Sequence, residues 1–252
     1  MASRAQRYEH IPYSDMGGGA LEQFTERERQ KMEFKNATRV QGTLVTWAEK
    51  KALHWLAERI PIWVNSDHLT FLGFTAQLMV GVSYAFAGGN KNWLWAATAF
   101  LTLNWFGDSL DGTLARYRNR QRPRYGFYVD HVIDTFGSIF LCGGLAVSGF
   151  MSPMVAMILL VAFLALSIEV YLATYCIGQF KLGHFGLGPT EIRIFLATGN
   201  VALFSHARVH FLGAEYLLFD IGGLIAAAGM GFMLVVSAIR HTVVLYKEER
   251  LP

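Results

Sequence analysis

The chain has 252 residues, of which 53% are hydrophobic and only 16% charged, with a formal net charge of +3. Soluble domains of this length carry about a quarter charged residues, so the composition argues against a water-soluble fold, and so small a basic excess gives no reason to expect a nucleic-acid partner. The two cysteines, Cys142 and Cys176, both sit inside apolar blocks and read as small core residues, which excludes a disulfide frame or a thiolate metal knuckle.

Residues 1–42 are polar, with Gly17-Gly18-Gly19 and a charged run from Glu26 to Lys35. They read as a flexible cytoplasmic tail, and with no early apolar run a signal peptide is not expected. Residues 43–62 differ: Leu44, Trp47, Leu53, Leu56 and Ile60 recur at roughly helical spacing, with Glu49, Lys50, Lys51 and Arg59 on other faces. This predicts an amphipathic helix at the membrane interface. A short soluble helix is the plainer alternative, but an apolar span follows at once.

Six apolar stretches, each about long enough to cross a bilayer, run over roughly 68–88, 93–115, 127–149, 153–178, 188–207 and 215–245. Gly88-Gly89-Asn90 and Ser152-Pro153 punctuate them. The predicted fold is therefore all-α: an integral bundle of six transmembrane helices over 63–247, preceded by the interfacial helix and followed by a short cytoplasmic tail at 248–252. An even number of spans leaves both termini on one side. Arg116, Arg118, Arg120, Arg122 and Arg124 follow the second span, and Arg240, Lys247 and Arg250 close the chain, against mainly Lys91 and Arg208 opposite. The positive-inside bias places both termini and the Arg-rich loop in the cytoplasm.

Ionisable groups inside spans are costly and usually functional. The second span ends in Asp108-Ser-Leu-Asp111-Gly112-Thr-Leu-Ala115-Arg116, and the third begins Gly126-Phe-Tyr-Val-Asp130-His-Val-Ile-Asp134. Asp108 and Asp111 share a helix face at i, i+3, and Asp130 and Asp134 share one at i, i+4. The connection is short, so the helices are expected side by side with four carboxylates converging on one pocket. Such a set repels itself unless something positive sits within it. All-oxygen ligands suit Mg²⁺ or Mn²⁺, and four carboxylates suit two ions, which can stabilise attacking and leaving oxygens at phosphorus. Gly112 and Ala115 are small enough to admit a bulky ligand or a neighbouring helix, and Arg116 is placed to hold a phosphate. Carboxylates merely salt-bridged to the loop arginines are the simpler alternative, but salt bridges do not require this spacing.

The pattern D-x2-D-G-x2-A-R followed by G-x3-D-x3-D, filled by Asp108, Asp111, Gly112, Ala115, Arg116, Gly126, Asp130 and Asp134, resembles the signature of the CDP-alcohol phosphotransferases. The resemblance covers about residues 43–246. It implies a six-span catalytic domain, commonly dimeric, that makes phospholipid by moving a substituted phosphate from a CDP-linked donor to an alcohol with release of CMP. It implies that Asp108, Asp111 and Asp130 are metal ligands. Asp134 would complete the metal site or act as the base on the acceptor hydroxyl. Asp108, Gly112, Ala115, Arg116 and Gly126 would form the nucleotide site. Pro61 to Thr70 also resembles the family segment lining the nucleotide pocket, adding Asn65, Asp67 and Thr70, although the family often has Thr-Pro-Asn where this chain has Asn65-Ser66-Asp67. Ser66 or Asp67 equally reads as a helix cap.

Glu169-x-Tyr171 and Gly188-Pro189-x-Glu191, with Arg193, are similar to segments of the choline/ethanolamine phosphotransferase branch, which joins a CDP-linked amino alcohol to diacylglycerol. They mark Glu169, Glu191 and Arg193 as an acceptor or lipid site. Pro189 followed by acidic charge is also ordinary helix-start chemistry. The short chain leans instead to a CDP-diacylglycerol donor and a polar acceptor. The histidines show no ligand spacing and read as packing or interface residues. Gly222, Gly223, Gly229 and Gly231 read as helix-packing positions, with a homodimer as one place for such packing. Two other classes compete. A transporter would use the aspartates as an ion site, but its charges belong near the midplane and in repeated halves; a silent membrane scaffold would have no use for four intact aspartates.

Overall fold

A computed structural model describes residues 46–177, 189–211 and 213–249. The tail 1–42, the first residues of the predicted interfacial helix, the loop with Gly186 and Gly188, and residues 250–252 lie outside the described residues. Among the described residues seven helices follow in order: α1 (Thr46–Arg59), α2 (Ser66–Ala87), α3 (Trp93–Tyr117), α4 (Pro123–Val147), α5 (Pro153–Ile177), α6 (Pro189–Ser205) and α7 (Leu218–Glu248). Between α6 and α7 runs an antiparallel hairpin, β1 (Arg208–Phe211) and β2 (Ala214–Leu217), with Arg208 opposite Leu217.

The chain is all-helical as expected apart from this short hairpin, which moves one helix boundary. The stretch expected to open the last span at residue 215 is strand, and α7 starts at Leu218. Val209, Phe211 and Tyr216 favour a pleated backbone, and Gly213 supplies a positive φ of 81° at the turn. By length and composition α2, α4, α5 and α7 can cross a membrane. The other two expected spans fall short among the described residues: α6 has 17 residues, and α3 carries Asn104, Asp108 and Asp111.

The helices meet at backbone contact. A Cβ on Gly107 of α3 would lie 2.6 Å from the Leu69 carbonyl oxygen of α2, and a Cβ on Gly144 of α4 would overlap the carbonyl oxygen of Gly81 of α2. Thus α2 is gripped on two sides by glycine-lined crossings, the packing that substitutes for hydrophobic collapse where the solvent is itself apolar. Asn104, buried on α3, donates from Nδ2 to the Gly73 carbonyl of α2 at 2.9 Å.

Beyond this crossing one core gathers Val80, Tyr84, Leu94, Leu101, Leu145, Leu203 and Phe219. The Tyr84 hydroxyl donates to Asn200 Oδ1 (2.8 Å), and Asn200 Nδ2 donates to Thr98 Oγ1 (3.1 Å), so the polar groups of this core are used. α5 and α7 pack together along their lengths and leave Met157, Val161, Ile168, Leu172, Ile225, Phe232, Val236 and Ile239 exposed. A continuous apolar outer face of this kind is incompatible with water and natural to lipid.

α1 lies on the other end. Leu53 and Ala57 are buried against Leu69 of α2 and Leu110 and Leu114 of α3. The Arg118 guanidinium, just past α3, donates to the carbonyls of Ile60 (2.8 Å), Pro61 (3.0 Å) and Val64. It thereby satisfies the acceptors released where α1 ends.

Two outcomes are expected. Gly144→Ala should destabilise the bundle by about 1–3 kcal/mol through overpacking, whereas Gly143→Ala, whose Cβ meets open space, should be neutral or better; thermal unfolding in detergent compares them. Arg118→Ala should cost about 1.5–3 kcal/mol, the worth of hydrogen bonds to a charged donor. It should also raise protease cleavage in residues 59–65, read by limited proteolysis.

Candidate active site

The turn between α3 and α4 comprises five residues, Arg118 to Arg122. α3 stops in a left-handed Asn119 (φ 53°), with Arg120 N donating to Ala115 O (2.9 Å) and Asn119 N to Arg116 O (3.1 Å). That is the paired hydrogen-bond closure of a helix C-terminus. Pro123 then opens α4, where its fixed φ suits the first helical turn. The turn reverses the chain, but the structure corrects the expectation that the two helices lie side by side: α3 and α4 each pack against α2 and scarcely touch one another. Asp108, Asp111 and Ala115 share one face of α3, and Gly126, Asp130 and Asp134 share one face of α4, four residues apart.

The structure brings the four aspartates within electrostatic reach of one another. Asp111 interacts with Asp108 and Asp130, and Asp134 interacts with Asp108, Asp111, Asp130 and the positive Arg193. Asp111 is buried, with 8% of its surface exposed, while Asp130 and Asp134 are open to the surface. Asp111 and Asp108 are held by named protein donors. Thr70 Oγ1 of α2 donates to Asp111 Oδ2 at 2.6 Å, and the backbone N–H of Gly112 donates to Asp111 Oδ1. Arg193 of α6 donates from Nη2 to Asp108 Oδ2 (2.6 Å) and from Nε to Asn104 Oδ1 (2.8 Å). In donor chemistry the four aspartates fit a hard divalent cation. Among the described residues, however, no three acidic, cysteine or histidine side chains are gathered closely enough to hold an ion as they stand.

A cavity of about 370 Å³ opens at the turn between α3 and α4, lined by Asn65, Asp67, Ala115, Arg118, Arg120 and Arg122 among others, while none of the four aspartates lines it. Expected nucleotide residues from both sequence segments, Asn65 and Asp67 with Ala115, therefore meet at one opening. The helix cap, however, falls on Asn65, one residue before Ser66 and two before Asp67. Asn65 holds the extended N-cap conformation, and its N–H donates to His68 Nδ1 at 3.1 Å. Asp67 accepts from Arg122, whose guanidinium also lies 4.1 Å over the Tyr125 ring. Gly112 leaves room for the guanidinium of Arg116, which donates to Thr113 Oγ1 at 3.1 Å. Gly126 faces open space.

Of the residues expected at an acceptor site, Arg193 joins the cluster through Asp108, and Glu191 is buried in the first turn of α6. Glu169 is engaged elsewhere. Its Oε1 lies 2.6 Å from His241 Nδ1 of α7, and its Oε2 is buried with no hydrogen-bond partner among the described residues. His241 therefore has a specific polar partner rather than a packing role alone. Sequence reading also passed over Glu49 and Asn104. Trp105 Nε1 (2.8 Å) and Thr190 Oγ1 (2.7 Å) both donate to Glu49 Oε1, which ties α1 to α3 and α6. The available signal was a polar residue inside an apolar span at Asn104; nothing local marked Glu49.

Over 84 residues the chain is 33% identical to a phosphatidylinositol phosphate synthase of Cutibacterium acnes, an alignment covering 33% of this chain and 38% of that protein. The chain thus spans well under half of this relative's length. Residues 63–244, α2 through most of α7 and including every aspartate of the cluster, match the family model described as CDP-alcohol phosphatidyltransferase. On that match, which takes in most of the sequence, the chain belongs to the CDP-alcohol phosphatidyltransferase family of enzymes.

Proposed function

We propose that this protein is a multi-pass membrane enzyme of phospholipid synthesis that transfers a phosphatidyl group from CDP-diacylglycerol to the hydroxyl of a polar alcohol, releasing CMP. The observation that carries the reading is the set of four carboxylates on α3 and α4, two helices that both pack on α2, with Asp134 within electrostatic reach of the other three and a 370 Å³ cavity lined by Ala115 at the adjoining turn. The phosphatidylinositol phosphate synthase likeness favours a CDP-diacylglycerol donor over a CDP-linked amino alcohol. In this reading α2 to α7 all cross the bilayer, with α1 on the cytoplasmic interface and both termini and the site on the cytoplasmic side. Domain limits follow those read from the sequence. Gly222, Gly229 and Gly231 on α7 face open space, which supports a homodimer seam on that helix.

Each part of the site has a task. Asn65, Thr70, Gly112, Ala115, Arg116 and Gly126 would border the nucleotide, with Asp67 exchanging its contact to Arg122 for one to the ligand. Asp108, Asp111, Asp130 and Asp134 would hold one or two Mg²⁺ or Mn²⁺ ions, which supply positive charge beside the donor's phosphates. Asp134, open at the cleft, takes the proton of the acceptor hydroxyl as its oxygen bonds to phosphorus and the bond to CMP breaks. Thr70 fixes the buried Asp111, so the carboxylate set is oriented before substrate arrives.

Purified protein incubated with CDP-diacylglycerol and a panel of polar alcohols should release CMP only with Mg²⁺ or Mn²⁺, and EDTA should abolish it. Asp134→Asn should lower the rate by about 10²–10⁴-fold, the usual worth of a general base. Release from CDP-choline or CDP-ethanolamine with diacylglycerol instead would transfer the assignment to the amino-alcohol branch. A folded protein that releases CMP from neither donor set would overturn the proposal.

A further inference from the structure

The carboxylate cluster already contains a positive charge. Arg193 enters it from the first turns of α6, a different element from those that carry the aspartates, and reaches Asp108 at 2.6 Å. Its Nε is anchored by Asn104, and Asn104 is in turn anchored on the Gly73 carbonyl of α2. The guanidinium is thus held in a fixed orientation by two residues of α3, one of them tied in turn to α2. Its field extends to Asp134 as well. Its Nη1 is buried with no hydrogen-bond partner among the described residues, so this arrangement leaves a donor unused. A fork that is held rigidly, spends one arm on a carboxylate and leaves another unsatisfied is built for charge balance more than for helix tethering.

We infer that Arg193 is a resident counter-cation: it neutralises Asp108 while no divalent ion occupies the cluster, and its charge sets how weakly or tightly the cluster takes one. The inference rests on the proposed role of the four aspartates as cation ligands. Arg193 is a positioning residue in this scheme, acting on a bound cation through Asp108. Its positive charge opposes the arrival of a second cation, and its hydrogen bond occupies an oxygen that the ion needs. Without a cation it relieves repulsion among the carboxylates; with one bound, Asp108 turns from the guanidinium to the ion.

The test titrates Mn²⁺ into the full-length protein in detergent and reads free Mn²⁺ by electron paramagnetic resonance, with no nucleotide or lipid donor added. Arg193→Gln should bind Mn²⁺ more tightly, by about tenfold or more for removal of a unit charge a few ångströms from the site. The same variant should lose melting temperature mainly in the metal-free state, so that saturating Mn²⁺ restores most of the loss. Arg193→Lys keeps the charge but cannot span Asn104 and Asp108 together, and should shift affinity in the same direction by a smaller factor. It carries the test if Arg193→Gln does not fold. Unchanged or weaker Mn²⁺ affinity in the variants, with stability lost equally in the presence and absence of metal, would make Arg193 a structural tie and overturn the inference. If the wild-type protein binds no Mn²⁺ while remaining folded, the cation reading of the aspartates fails and this inference fails with it.

Discussion

Everything in this bundle depends on how closely α2 approaches its two neighbours. Where Gly107 meets the backbone of Leu69 and Gly73, and Gly81 meets Gly144, no side chain separates the helices. That proximity lets a hydroxyl as short as that of Thr70 reach Asp111, and lets an Asn104 amide reach a main-chain carbonyl. In a lipid environment apolar side chains gain little by leaving the solvent, so dispersion contacts and interhelical hydrogen bonds must set the geometry. Glycine contributes to both by removing the distance between backbones.

On this frame the charges sort themselves by depth. Asp111 is enclosed and doubly hydrogen-bonded, Asp108 is shared with Arg193, and Asp130 and Asp134 look outward. The enclosed member is oriented and the open members are accessible. The loop arginines divide as well. Arg118 is consumed by the carbonyls at the end of α1 and Arg122 by Asp67, so the positive charge that reads in the sequence as a topology signal also builds the rim of the cavity.

The helix boundaries were largely legible because each apolar stretch is long and bounded by Gly, Pro or Asn. Local spacing also sufficed to align Asp108 with Asp111 and Asp130 with Asp134 on their own helices; that α3 and α4 each pack on α2 rather than on one another was not legible from the short turn. Contacts between distant segments were not legible. Nothing near Glu169 announces His241, 72 residues away, because their meeting depends on the pairing of α5 with α7. Arg193 and Asp108 stand 85 residues apart, and only the placement of α6 over α3 unites them. The hairpin at residues 208–217 was hidden by the apolar stretches on either side, whose hydrophobicity masks a four-residue strand. At Asn65 the cap was displaced by one position because His68, an unusual partner for an N-cap, supplies the reciprocal acceptor.

The closure between Asn119 and Pro123 has a consequence for how this sequence can change over time. The left-handed Asn119 and Pro123 fix where one helix stops and the next starts, so added length has to be absorbed in this tight reversal or within α4 itself. A helix turns about 100° for each residue, so one residue added within α4 before Asp130 would rotate Asp130 and Asp134 away from the cluster together, and three or four would be needed to return them. The hairpin between α6 and α7 carries no such phase, since no residue of the cluster follows it. Length variation among related chains should therefore gather at that far hairpin, and the five residues from Arg118 to Arg122 should vary in identity long before they vary in number.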